Sequence, residues 1–429
     1  MEYRTISVEG SQFGDEGKGK ITDYIASKAD VVCRYQGGNN AGHSIEIDGV
    51  RHALRSLPSG IYEPGVMNVI ANGVVVNPFA LLDEIDENFA GNPDRLKLAI
   101  SDRAHLILPY HILLDGCYEG AMGKNKIGTT HRGIGPCYSD KAKRIGIRMG
   151  DLLDPDYLKE RLENALAINN RILSAFGEEP VDIDELYSRL LSAAERLRPF
   201  ITDTSVLLDE AIDAGKKVVF EGAQGSLLDL DHGTYPFVTS SSPTSVSIPV
   251  NAGVAPYKVK KVLAIMKSYM TRVGEGPMPS EQDNAWGQSI RERGNEYGTV
   301  TKRPRRVGYL DLALLGYTSR ITGVTELAVT LFDVLMGVDD LKICVGYSLD
   351  GRLIDYVPAS AKTYAHCKPV YKSFETIPFF DKTKIKTFDD LPKEAKEYLG
   401  FIKDTLHADI ALLSLGAERT DTVSFKPLF

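Results

Sequence analysis

A chain of 429 residues, 43% hydrophobic and 25% charged, has the make-up of an ordinary globular protein with length for a large core. Its formal charge of −8 argues against a general nucleic-acid binder. Five scattered cysteines without a C-x-x-C pair, no apolar run of the roughly 18 residues a membrane span needs, and an N-terminus leading straight into a strand together predict a cytoplasmic enzyme.

The first element, Thr5-Ile6-Ser7-Val8, is β-branched and apolar and reads as a short buried strand. It runs into Gly10, Gly14, Gly17 and Gly19 with Lys18 and Lys20 between them, and Ile21 and Ile25 then suit the start of a helix. Strand, glycine-rich turn and helix form a phosphate-binding arrangement, in which backbone N–H groups and a helix N-terminus face the anion. Gly14 to Lys20 satisfies G-x-x-x-x-G-K, but Ile21 stands where a P-loop needs Ser or Thr for magnesium. Asp15 and Glu16 lie inside the same loop. Carboxylates there repel phosphate unless a cation or a proton transfer employs them, so the loop is expected to do chemistry.

Asp30–Tyr35 reads as a second strand that delivers the glycine- and asparagine-rich turn Gln36–His43. His43 is a candidate functional group because it follows a strand of an α/β pattern. Strand-like Asn68–Gly73 and Leu96–Ser101 alternate with helix-like Pro78–Asn88, the βαβ rhythm of a mostly parallel sheet. The loop Ile127–Pro136 offers hydroxyls and Arg132 to an anion. Leucine spacing (Leu158, Leu162, Leu166, Leu173, then Leu186, Leu190, Leu197) predicts a helical pair inserted on the sheet, over about residues 152–200.

Lys217–Phe220 resumes the strand pattern and opens onto Glu221–Gly225; the Ser/Thr-rich run Tyr235–Ser247 follows and reads as a binding loop. Thr301-Lys302-Arg303-Pro304-Arg305-Arg306 is the densest cationic cluster, and its proline makes it a loop suited to small polyanions. Leu327–Thr330 is a further strand ending near Asp333, and residues 350–400 read as a peripheral segment. Without internal repeats or low-complexity linkers, one domain over 1–429 is expected. The fold class is α/β: a large, mostly parallel central sheet with flanking helices.

Several stretches together resemble the adenylosuccinate synthetase family: GSQFGDEGKGKITD (10–23), RYQGGNNAGH (34–43), GTTHRGIGP (128–136), FEGAQGSLLDLDHGTYPFVTSS (220–241), TRVGEGPMP (271–279), GTVTKRPRRVGYLD (298–311) and SLGAERTDT (414–422). The resemblance implies a fold related in part to P-loop GTPases, a homodimer, magnesium, and the reaction of GTP, IMP and L-aspartate to give adenylosuccinate, GDP and phosphate through 6-phosphoryl-IMP. It makes Asp15 the base at N1 of IMP, His43 the acid toward the phosphoryl group, and Lys18 and Gln224 further catalytic residues. Asn40, Thr130, Gln224, Thr239 and Arg303 match IMP contacts, with Arg144 reaching the neighbouring subunit's IMP. Thr299, Val300, Thr301, Lys302, Arg303 and Arg305 match the aspartate loop. Gly14, Asp15, Glu16, Gly17, Lys18, Gly19, Gly42, His43, Arg305, Leu331, Asp333, Ser414 and Gly416 match GTP contacts, and magnesium falls to Asp15 and the Gly42 carbonyl.

The chain departs from the family at Leu331, where a lysine is usual, which bears on the strictness of GTP over ATP. His131 and Lys302 replace glycines, and Pro243–Val250 leaves the family's small-residue pattern. Two rival readings are a relative that aminates a guanine deoxynucleotide with aspartate, and a regulatory GTP-binding protein. Retention of Asp15 speaks against the first, Ile21 and the arginine loop against the second.

Overall fold

The computed structural model describes residues 3–40, 42–47, 50–89, 95–297 and 304–429. Its centre is a ten-stranded sheet. In chain order the strands are β1 (Thr5–Gly10), β2 (Val31–Arg34), β3 (Met67–Ile70), β4 (Leu98–Ser101), β5 (Ile201–Thr202), β6 (Val218–Glu221), β7 (Lys261–Lys267), β8 (Glu326–Thr330), β9 (Asp409–Ser414) and β10 (Thr422–Ser424). Across the sheet they run β10-β9-β8-β7-β1-β6-β2-β3-β4-β5, and every pairing is parallel except β9 with β10.

All six residues of β1 are buried. Alternation decides what each face meets. Ile6 and Val8 pack with Ile21 and Ile25 of helix α1 (Lys18–Ala26), while Glu9 turns to the opposite face and accepts from Ser245 N at 2.6 Å. Burying each of these isoleucines is worth about 2 kcal/mol, so Ile21→Asp would detach α1 from the sheet. β1 sits between β6 and β7, both much later in sequence. Such a reversal of strand order brings loops from distant parts of the chain together at the carboxyl edge.

The leucine-spaced helices are α2 (Pro155–Ala175) and α3 (Ile183–Leu197), each N-capped by an aspartate: Asp154 accepts from Tyr157 N, and Asp182 from Glu185 N. Their leucines at 158, 162, 166, 173, 186, 190 and 197 are all buried. Helix Lys393–Leu406 and strand Lys368–Phe374 lie within or beside the segment read as peripheral, and Tyr364, Ile377, Tyr398 and Leu399 join the largest apolar cluster. Among the described residues no helix is long and apolar enough to cross a membrane.

Candidate active site

The glycine-rich turn after β1 is held from inside by its own acid. Glu16 is fully buried, and its Oε1 accepts from Gln12 N and Gly14 N, both at 2.9 Å. Its Oε2 pairs with Lys18 Nζ at 2.6 Å, and Lys18 also donates to the Gly14 carbonyl at 3.1 Å. A Cβ at Gly10 would clash with Glu16 Oε2, so glycine there makes room for the carboxylate. Gly17 closes the turn at φ 77°, a left-handed N-cap for α1.

Asp15 faces the other way, into a buried cluster of charge. Its Oδ2 accepts from Thr271 Oγ1 at 2.5 Å and lies 3.5 Å from Lys267 Nζ and 3.7 Å from Arg305 Nε. Oδ1 is buried without a hydrogen-bond partner. Burial pushes this carboxyl up, but Lys267, Arg305 and Thr271 more than offset it and hold its pKa below the usual aspartate range. Asp15 is therefore an ionised acceptor with one oxygen unspent.

The cations are themselves shared. Lys267, at the end of β7, lies 2.7 Å from Glu296 Oε1, which also accepts from Tyr269 OH at 2.6 Å. Arg305 Nη1 donates to Glu296 Oε2 at 2.5 Å. Lys267, Tyr269, Thr271 and Glu296 had not been singled out from the sequence. Thr271 lies in the 271–279 motif, whereas Lys267 closes an apolar strand and Glu296 follows a helix, positions that carry no spacing signal.

Around this centre the structure gathers several residues expected at the nucleoside side. Gln224, at φ 56°, donates from Nε2 to Asn40 Oδ1 at 3.2 Å, while its Oε1 is buried and unpartnered. A Cβ at Gly37 would meet that oxygen at 3.2 Å, and one at Gly135 would meet Ser240 Oγ at 3.1 Å. The turn after β2, the turn after β6, the run carrying Thr239 and the start of helix Ile134–Lys143 therefore converge. The preceding loop, carrying exposed Thr130 and His131, hangs from helix Pro109–Ala121. There Glu119 Oε1 accepts from Gly128 N at 2.5 Å and Thr129 N at 3.3 Å, and Asp115 Oδ2 accepts from Gly133 N at 2.9 Å. Arg144 is elsewhere: it is exposed at the C-cap of Ile134–Lys143, about 15 Å along the helix from the end beside Ser240.

The expected guanine residues also assemble. Lys20 Nζ donates to Ser414 Oγ at 2.8 Å and to the Gly416 carbonyl at 2.7 Å. Burial lowers its pKa to about 8. Asp333 stands nearby with Oδ1 buried and unpartnered, its pKa raised by burial with Lys20 opposing. Leu331, at φ 54°, accepts from Ser268 Oγ through its carbonyl. Arg419 ties this corner down, with hydrogen bonds to both oxygens of Asp23 in α1 and one to Glu63. Of the other expected residues, Gly42 is exposed and His43 opens the strand His43–Ile47, whose side chains lie outside the described residues. Thr299, Val300, Thr301, Lys302 and Arg303 also lie outside them.

The sequence profile of adenylosuccinate synthetase matches residues 7–423. The chain belongs to the adenylosuccinate synthetase family. It is therefore a carbon–nitrogen ligase of purine biosynthesis that joins L-aspartate to IMP with GTP. The adenylosuccinate synthetase of Thermoanaerobacter sp. (strain X514) is 48% identical over 98% of both chains. The fully ligated adenylosuccinate synthetase of Plasmodium falciparum superposes with a TM-score of 0.91 at 35% identity, over 99% of this chain and 100% of that one. A cyanophage S-2L succinoaminodeoxyadenylate synthetase, bound to dGMP and dATP, covers 100% of this chain and 97% of its own at a TM-score of 0.61 and 19% identity, a likeness of fold alone. Neither the guanine-nucleotide nor the regulatory reading is favoured.

Proposed function

We propose that Asp15 is the base of this ligation. It takes the N1 proton of IMP as the 6-oxygen attacks the γ-phosphoryl group of GTP; the electrons of the broken O–P bond leave on GDP. The amino group of aspartate then adds at C6, and phosphate departs with the former 6-oxygen. The single observation that carries this reading is the Asp15 carboxylate, ionised and buried on the cradle loop with Oδ1 unpartnered. Lys267 and Arg305 keep Asp15 ionised, and Arg305 also offers positive charge to the oxygen that becomes anionic as N1 is deprotonated. Lys18 lies at the same loop, and Gln224, whose Nε2 donates to Asn40, keeps its buried Oε1 without a partner. His43, placed by resemblance, would donate to the phosphoryl group in flight.

Magnesium fits these residues. The Asp15 carboxylate has a second oxygen besides the one facing N1 and is a hard ligand, and the Gly42 carbonyl belongs to an exposed residue. Magnesium keeps several waters and binds through one or two carboxylates together with substrate phosphate oxygens. Bound there, it would neutralise charge on the transferring phosphoryl group. The loop is a P-loop relative only in part, because Ile21 is buried against β1 and offers no hydroxyl.

Asn40, Thr130, Thr239 and Arg303 are assigned to IMP, residues 299–303 and Arg305 to aspartate, and Leu331, Asp333, Ser414 and Gly416 to guanine. A carboxylate such as Asp333 accepts from guanine N1–H and its 2-amino group, donors adenine lacks. Arg144 is exposed about 15 Å along its helix from the end beside Ser240, which supports a homodimer in which it completes the neighbour's site. The free cysteines support a reducing compartment, the cytoplasm. The chain is read as one unit, with α2 and α3 as an insertion. The test is one assay panel: with GTP, IMP, L-aspartate and magnesium the protein forms adenylosuccinate, seen by purine absorbance. ATP replacing GTP measures donor strictness. Product from dGMP but not IMP overturns the substrate assignment.

A further inference from the structure

Glu296 lies buried behind the cations that face Asp15. It follows helix Ala285–Arg293 and is 1% exposed, yet three donors from two separate parts of the chain converge on its carboxylate. Lys267 and Tyr269 hold Oε1 at 2.7 and 2.6 Å, and Arg305 holds Oε2 at 2.5 Å. Its backbone carbonyl also accepts from Arg305 N at 2.9 Å, so the arginine is gripped at both ends.

Asp15 faces two buried cations, Lys267 and Arg305, which it shares with one further carboxylate, Glu296, while Lys18 also acts on it. Lys267 lies nearer Glu296 than Asp15, 2.7 against 3.5 Å, and Arg305 nearer too, 2.5 against 3.7 Å. Buried opposite charges close to hydrogen-bonding contact unless something holds them apart. Glu296 supplies that hold. Arg305 Nε, buried and without a hydrogen-bond partner, stays directed at Asp15 instead of closing on it.

We propose that Glu296 keeps Lys267 and Arg305 off the Asp15 carboxylate, leaving Asp15 free for substrate and Arg305 aimed at the reacting groups. The inference rests on the reading of Asp15 and Arg305 given above. Without Glu296, both cations would close on Asp15 Oδ2 and draw the carboxylate out of the position that leaves Oδ1 open.

The experiment compares E296Q, K267M and the double variant with the wild type under saturating GTP, IMP, L-aspartate and magnesium. Losing a charge-assisted contact to Arg305 should lower kcat of E296Q by roughly 10- to 100-fold. KM for GTP should stay within about twofold, since the guanine corner does not touch Glu296. Restoring neutrality with K267M in the E296Q background should raise kcat above that of E296Q alone. A merely structural residue would give the opposite, a double variant worse than either single one. An E296Q kcat within twofold of wild type, or a double variant below E296Q, overturns the proposal. If E296Q does not fold, E296D decides: it keeps the charge but withdraws the carboxyl by one methylene. A fivefold or greater fall in kcat at unchanged KM for GTP supports the proposal, and an unchanged kcat sinks it. A wild-type protein that forms no adenylosuccinate refutes the underlying reading instead, so the two failures are distinct.

Discussion

Lys20, in the first turn of α1, donates to the Gly416 carbonyl at 2.7 Å, although 396 positions separate the two in the chain. With its bond to Ser414, the ammonium joins the phosphate loop to the expected guanine corner. Lys20→Met should therefore raise KM for GTP roughly tenfold, the loss of charged hydrogen bonds, with kcat within threefold. Burial holds the folded pKa at about 8, below the 10.5 of a free lysine. The cost of the buried charge is thus full below pH 8 and fades between 8 and 10.5. Wild-type KM for GTP should rise above pH 8, and steady-state kinetics should find that rise absent from Lys20→Met.

Glu119 carries the loop that bears Thr130. Replacing it by Ala strips the Gly128 and Thr129 amides of a buried acceptor, a loss of about 1–3 kcal/mol at the loop. KM for IMP should rise about tenfold while KM for GTP holds. Titration of IMP at fixed GTP and aspartate reads this directly; unchanged IMP kinetics would mean the loop does not touch the nucleotide.

Arg144 and Asp15 can be tested against each other. Arg144→Ala and Asp15→Asn should each be nearly inactive, the second by the 10²–10⁴-fold that general-base removal costs. Mixed in equal amounts, randomly paired subunits place one intact site in half of the dimers, restoring about a quarter of wild-type activity. Recovery at concentrations where the protein is dimeric supports a shared site. No recovery between exchanging subunits assigns Arg144 to its own chain.

Glu9, on the face of β1 opposite α1, is fully buried, and burial raises its pKa from 4.5 to about 7. A folded pKa above the unfolded one means the stabilising proton is in place below pH 4.5. Its contribution is lost as pH rises through 7. Glu9→Gln removes the ionisable group and keeps the acceptor for Ser245 N. It should raise Tm at pH 8 and leave it nearly unchanged at pH 5, with a gain on the order of 3 kcal/mol. Equal thermal shifts at both pH values would show that the folded pKa of Glu9 is not raised above its unfolded value.

What could be read from the sequence were features written locally. Alternation in β1, leucine spacing in α2 and α3, and the glycines of the first turn each predict an element from neighbouring residues, and the structure forms them. Asp15, Asn40 and Gln224 were visible because each sits in a motif directly after a strand. The partners that set Asp15's charge were not. Lys267 and Glu296 are 29 positions apart, joined by β7 and the end of a helix, and only the sheet order brings them beside a loop some 250 residues earlier. Glu16, like Asp15, reads from the sequence as a carboxylate in need of a cation. The cation is Lys18, two residues on, but the two backbone amides that share the carboxylate appear only when the turn is folded.

That inward-turned Glu16 bears on how quickly the protein can begin work. A ring of amides waiting for phosphate is, when empty, a set of mutually repelling dipoles that would tend to splay. Here a resident carboxylate quiets them, so the turn has its shape before any nucleotide arrives. The Gln12 and Gly14 amides are thus already satisfied by the protein's own carboxylate, and phosphate is left to the other N–H groups of the turn.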